Sequence, residues 1–278
     1  MNISTAKHLH TLLLAALFSV AAFALAAEPT LELGIGQPLQ NLSRNELLAN
    51  AAVRTIDVPA DAAYRRSMHY RALPLTALIG HLAQTGSVQF TASDGFVANI
   101  PGPLLAGAGQ AWLAIEPADA GWPALKPGGA SAGPFYLVWL TPEKAGISPE
   151  QWPYQIAKIA AAAPLESRYP QILPHSSAAT DNREQRGLHV YTANCATCHQ
   201  INGAGDAAIG PDLNLPLSPT EYFQETYLRK LIRNPAAVRN WGQRRMPGFS
   251  PEVLSDASLD DLIAYLRQMA KQRAKQRQ

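Results

Sequence analysis

The chain has 278 residues, with 23 Lys+Arg against 21 Asp+Glu for a net charge of +2, and 47% of it is hydrophobic. Residues 28–182 hold 9 basic and 12 acidic side chains, a net of −3; residues 183–278 hold 13 and 9, a net of +4; with Lys7 these give +2. Neither part is basic enough to make nucleic acid the default partner, and the contrast suggests two separate units.

Residues 1–26 read as a secretory signal peptide. Lys7 precedes an apolar run over 12–27, relieved only by Ser19, that closes on Ala24-Leu25-Ala26. The run is 16 residues long, short of the roughly 20 a bilayer requires. Cleavage near Ala26 leaves about 252 residues, more than one typical domain. The expectation is a periplasmic protein with no stable membrane insertion after cleavage.

Residues 28–163 form the first unit. "RTIDV", "SVQFTA", "GFVANI", "AWLAI" and "PFYLVWL" are short β-prone runs separated by Gly, Pro and Asp, with one helical candidate at 74–84. That pattern predicts an α+β domain. Asp94 of "ASDGF" could be a catalytic carboxylate, but Asp-Gly between two strands is first a turn. His69 and His81 have no ligand-spaced partner beside them and read as surface or core residues.

A Pro-rich linker is expected over 164–182, where prolines, paired serines and no sustained apolar period occur. Residues 183–278 are then helical throughout. A helix runs from Arg183 behind an Asp181-Asn182 cap signal to the cysteines, a second covers 220–233 before Asn234-Pro235, and a third covers about 259–272. Asp260 and Asp261 occupy the first turn of the third, where the helix dipole favours them.

The only two cysteines lie in "CATCH", Cys195 to His199. A redox dithiol belongs at a helix N-terminus inside a βαβ unit, whereas these thiols follow a helix. A structural zinc needs four ligands, and no second Cys or His pair at comparable spacing exists. Covalent haem attachment uses every residue of the motif: both thiols add to porphyrin vinyl groups and the next histidine ligates iron. A second axial ligand is then sought among the methionines. Met246, 47 residues after His199 in the loop "RRMPGFS", is the candidate, since such a loop is an improbable place for a core gap-filler.

From Gly187 onward, "GLHVYTANCATCHQINGAGDAAIGPDL", "LRKLIRNP", "RRMPGF" and "LDDLIAYLRQM" resemble, in order, a class I c-type cytochrome. The resemblance implies thioethers at Cys195 and Cys198, axial ligation by His199 and Met246, one haem c, and a Pro211 carbonyl accepting the His199 ring N–H. It also implies that Gly187 and Tyr265 mark a close crossing of the first and last helices; Leu213, Leu231 and Trp241 are candidate walls. Arg229, Lys230, Arg233, Arg239, Arg244 and Arg245 are read as neutralising the propionates or as a basic rim for a redox partner with an acidic docking surface.

In the first unit, "MHYRALPLTALIGHLAQTG", "FTASDGFVANIP" and "GPFYLVW" resemble parts of the molybdopterin-binding domain of sulfite-oxidase-like proteins over about 53–160. That family binds molybdenum through a cysteine, which this region lacks. The whole reads as an exported electron carrier with an accessory domain rather than an enzyme. The alternatives are a haem subunit of an oxidoreductase whose first domain binds a pterin or small substrate, and a haem sensor or peroxidase-like protein with a labile sixth position.

Overall fold

A computed structural model describes residues 27–35, 38–175, 182–238 and 246–276. Residues 1–26, expected as a signal peptide, and the residues Arg239, Trp241, Arg244 and Arg245 lie outside the described residues. Among those described, no helix is long and apolar enough to cross a membrane.

Among the described residues, nine strands build the N-terminal domain: β1 (Thr30–Gly34), β2 (Gln40–Ser43), β3 (Arg54–Val58), β4 (Met68–Pro74), β5 (Ser87–Ala92), β6 (Val97–Pro101), β7 (Ala111–Ile115), β8 (Phe135–Trp139) and β9 (Ile156–Ala162). They form two sheets, β2-β1-β9-β5-β6 and β3-β4-β7-β8. Every pairing is antiparallel except β1 with β9, which sets Leu33 beside Ile159. One core joins both sheets, with Leu31, Phe90 and Ile159 from the first and Tyr70, Leu113 and Leu137 from the second. Along β4 the two-residue period is visible: Met68, Tyr70 and Ala72 point in, His69 and Arg71 out. In β8, all of "FYLVW" is buried.

This unit carries a buried acid that is fully employed. Asp61, 2% exposed, accepts from the Tyr70 hydroxyl at 2.8 Å, the Tyr136 hydroxyl at 3.2 Å and the amides of Ala63 and Tyr64. Burial, and then the adjacent Asp61 charge, push both phenols well above their ordinary range.

Short helices fill the connections: α1 (Arg44–Leu48), closed by a Ser43/Glu46 capping box, α2 (Leu75–Leu78) and α3 (Gly102–Leu105). The helix expected over 74–84 is therefore interrupted. Ile79 turns extended after α2, and only Leu82–Gln84 coil again, as a 3-10 turn. Gly80 is a poor helix-interior residue, and the break lets Leu75, Ile79 and Leu82 all reach the core.

The remaining helices are α4 (Leu165–Arg168), α5 (Arg183–Asn194), α6 (Pro219–Tyr222), α7 (Glu225–Arg233), α8 (Pro235–Val238) and α9 (Asp256–Gln276). The Asn182 side chain caps α5 by accepting from the Gln185 amide at 2.9 Å. The helix expected over 220–233 divides because Phe223 adopts an extended conformation (φ −100°, ψ 140°), and α7 starts afresh at Glu225. The last helix begins at Asp256, ahead of the expected 259.

The segment expected as a linker has a packed first part. Leu165 and Ile172 are buried in the second core beside Leu188, Tyr191 and Tyr265. The Tyr265 hydroxyl donates to the Ile172 carbonyl at 2.7 Å, and the Asn202 amide group donates to Gln171 at 2.9 Å. Prolines at 164, 170 and 174 stop regular helix without exposing these apolar side chains, so the stretch runs along the domain instead of away from it.

Candidate functional site

The site begins at the C-terminus of α5. The Cys195 amide still donates to the Tyr191 carbonyl at 2.8 Å, and the amides of Cys198 and His199 both return to the Cys195 carbonyl at 3.1 and 2.8 Å. This tight turn brings two thiols and an imidazole to one wall. It is held from beneath by the Tyr191 hydroxyl, which donates to the His199 carbonyl at 2.9 Å. Neither cysteine is in a disulfide. Among the described residues no three His, Cys, Asp or Glu side chains gather as a zinc ion would require.

The downstream loop wraps the imidazole. Its turn is stapled by the Asp212 carboxylate, which accepts from the amides of Asn202, Gly203, Asn214 and Leu215 at 2.6 to 3.2 Å. Gly210 lies flat against the His199 ring: a Cβ there would stand 2.3 Å from Cε1. His199 Nδ1 lies 2.7 Å from the Pro211 carbonyl. A carbonyl can only accept, so Nδ1 carries the proton and Nε2 keeps its lone pair. Burial lowers the imidazole pKa, with partial opposition from the Pro211 bond and from Asp212. Neutral imidazole with a free Nε2 is the form that binds a metal.

Cys195, Cys198, His199 and Met246 all line one cavity of about 1090 Å³. Its walls are apolar, built by Leu213, Leu231, Ile232, Phe249 and Leu266. Met246 is half-buried against the second core. The cavity is ample for an organic group, and a flat ring tethered to two sulfurs suits its chemistry: two nucleophilic atoms on one edge, a nitrogen lone pair, a thioether, and hydrocarbon elsewhere. The chain therefore fits a haem.

α5 and α9 support this wall by crossing where only glycine fits. A Cβ on Gly187 would lie 2.1 Å from the Asp261 carbonyl oxygen and 2.5 Å from Tyr265 Cβ. Tyr191 and Tyr265 stack nearby, centroids 5.6 Å apart. On the solvent side Asp261 accepts from Arg186 at 2.7 Å and Arg183 at 3.2 Å.

Of the expected wall residues, Leu213 and Leu231 line the cavity and Trp241 lies outside the described residues. The basic rim is altered. Arg229 pairs with Glu225 and Asp260, each at 2.6 Å, and Arg233 with Asp256 at 2.6 Å and with the carbonyls of Phe249 and Leu254. These two arginines brace α7 against α9, which leaves Lys230 as the exposed cation of α7. Asp94 closes the β5–β6 turn by accepting from the Phe96 amide at 3.1 Å, with Gly95 at φ +91°. His69 is exposed and meets Asp57 on the neighbouring strand at 2.5 Å, and His81 is exposed.

Sequence reasoning missed Glu150. It sits in a 3-10 turn (Pro149–Gln151) of the N-terminal domain, yet it lines the same cavity as the two cysteines and His199. Burial raises its carboxyl pKa to about 7. Burial first, then the Glu150 and Cys198 charges, raise the Cys195 thiol to about 12. A carboxyl raised on folding keeps its proton longer in the native state, so its contribution to stability is complete below about pH 4.5 and is lost as pH rises to about 7. Glu150→Gln should remove that loss, leaving the haem-loaded variant up to about 3 kcal/mol more stable than wild type at pH 8 and equal to it near pH 4.5. Urea melts at the two pH values measure this; parallel stability curves would refute it.

No curated protein sequence matches the chain. Residues 184–270 match the family model described as Cytochrome c, and that family carries covalently bound haem c and transfers electrons. The helical C-terminal unit, with its thiols, imidazole and apolar cavity, is a cytochrome c domain joined to a strand-rich N-terminal domain.

Proposed function

We propose that the protein is an exported electron carrier holding one haem c, attached through Cys195 and Cys198, with His199 and Met246 as the axial ligands. The observation that carries this reading is the gathering of those four side chains on one cavity. Two thiols suffice for one porphyrin, each adding its S–H across a vinyl double bond with no leaving group.

When bound, the haem supplies a one-electron iron couple. The chain's own residues decide how it behaves. Pro211 fixes the His199 tautomer and raises the imidazole's basicity. Met246 supplies a sulfur that favours reduced iron and moves the potential to the positive side of the haem range. The apolar wall excludes water. Held by both His199 and Met246, a haem would supply electron transfer and offer no open position to a substrate. The N-terminal domain, without a thiol for molybdenum, acts as an accessory scaffold. Lys230, exposed on α7, is a cation that attracts an acidic redox partner.

The test is Met246→Ala in protein matured with haem. The six-coordinate low-spin spectrum should be lost, and the potential should fall by on the order of 0.1–0.3 V. An unchanged spectrum would show that another group ligates the iron, and a colourless product of the wild-type chain would end the haem reading altogether.

A further inference from the structure

The N-terminal domain does not stand apart from the haem domain. It meets the segment that bears the two thiols. The Val97 amide at the start of β6 donates to the carbonyl of Thr197, inside the CATCH motif, at 3.4 Å. The Ser148 hydroxyl bonds Asn194, the last residue of α5, at 2.5 Å. Asp94 and Gly95, at the tip of the β5–β6 turn, and Glu150 line the haem cavity together with Asn194 and Cys195.

A charged cluster holds this contact. Asp206, seven residues beyond His199, has a side chain only 10% exposed. Arg168 grips it with two nitrogens at 2.5 and 2.7 Å, the Tyr169 hydroxyl donates at 2.9 Å, and the Asn99 amide of β6 donates at 2.8 Å. Arg168 closes the ring by donating to the Asn99 side-chain oxygen at 2.9 Å and lies over the Tyr169 ring, 5.1 Å from its centroid. A forked guanidinium on a largely buried carboxylate is a strong, directional pair. Burial alone would raise the Asp206 pKa, but the bonds from Arg168, Asn99 and Tyr169 outweigh it and hold the carboxyl below its usual range.

We propose that the N-terminal domain is a captive docking partner that closes the thioether-bearing edge of the haem site, latched through Asp206, and so keeps other proteins from that edge. The proposal rests on the haem reading given above. A haem held by the two thiols would turn one edge toward Cys195 and Cys198, the side of the cavity that Asp94, Gly95 and Glu150 also line. A protein too large to pass the turn must exchange electrons elsewhere, whereas a small ion is not so restricted. The latch thus selects partners by where they can dock.

The experiment uses the full haem-loaded chain. The double variant Asp206→Asn with Arg168→Ala removes both charges of the latch together. Oxidation of the reduced protein is followed by stopped flow with two oxidants, ferricyanide and a blue copper protein. Unlatching should speed the reaction with the copper protein at least about tenfold and that with ferricyanide by less than about twofold. Asn99→Ala, which removes the donor to Asp206 and the acceptor of Arg168 but spares the Arg168–Asp206 pair, should give an intermediate rise and keeps the test open if the double variant does not fold. Haem content and absorption spectra are taken on the same samples. A coloured, native-spectrum variant whose rate with the copper protein is unchanged, or rises no more than its rate with ferricyanide, overturns the latch alone; a wild-type chain without haem overturns the underlying reading.

Discussion

Gly187→Ala should destabilise the haem domain by about 3 kcal/mol or more, although alanine is the better helix former. The two effects oppose each other and their sizes decide the outcome. Within an exposed helix the exchange would gain about 1 kcal/mol. Here the new Cβ would sit 2.1 Å from a backbone oxygen of α9 and 2.5 Å from Tyr265 Cβ. Backbone cannot rotate out of the way as a long side chain can, so the helices must separate. Separation costs packing around Leu188, Tyr191 and Tyr265 and weakens the Arg186–Asp261 pair. Overpacking of this kind costs about 1–3 kcal/mol and more where nothing yields. Guanidinium melts followed by Soret circular dichroism would report it, with an unchanged midpoint as the contrary result.

Gly210→Ala acts on the proposed iron ligand, His199, rather than on the fold. Its Cβ would fall 2.3 Å from His199 Cε1 and 2.5 Å from Nδ1. The ring must swing, and the 2.7 Å bond to Pro211 is lost with it. Removing a partner that orients a ligating histidine typically weakens ligation about 10–100-fold. The covalent tethers are untouched, so the protein should stay coloured while its absorption bands broaden or shift and its potential falls. Preserved bands at native wavelengths would mean that the loop moves instead of the ring. Read together, the two glycine variants separate a fold defect from a ligand defect.

How much of this was legible in the sequence follows from how local each feature is. The cavity wall was, because Cys195, Cys198, His199 and Pro211 lie within one short loop whose residues have few other uses together. Met246 could be singled out because methionine is scarce in this chain. The strands β3, β5, β6, β7 and β8 carry β-branched and aromatic residues and announced themselves. By contrast, β9 reads "IAKIAAA", and its run of alanines resembles a helix or linker. Small side chains are needed there because β1 comes close: a Cβ on Gly34 would lie 3.3 Å from that of Ala160. Such a requirement belongs to the partner strand and leaves no local pattern. The same holds for Glu150 and for the Asn99–Arg168–Asp206 cluster, whose members are common polar residues scattered over 107 positions. The split of the 220–233 helix at Phe223 was hidden because apolar spacing stays helical across the break.

The placement of β9 also governs how its sheet closes. It is the middle strand of that sheet, flanked by β1 in parallel and by β5 in antiparallel register. The two hairpins on either side, β1–β2 and β5–β6, have no shared neighbour until residues 156–162 pair with both. A chain cut short before β9 cannot close the larger sheet, so the β5–β6 turn that meets the CATCH segment is joined to β1 and β2 only through the last strand of its domain.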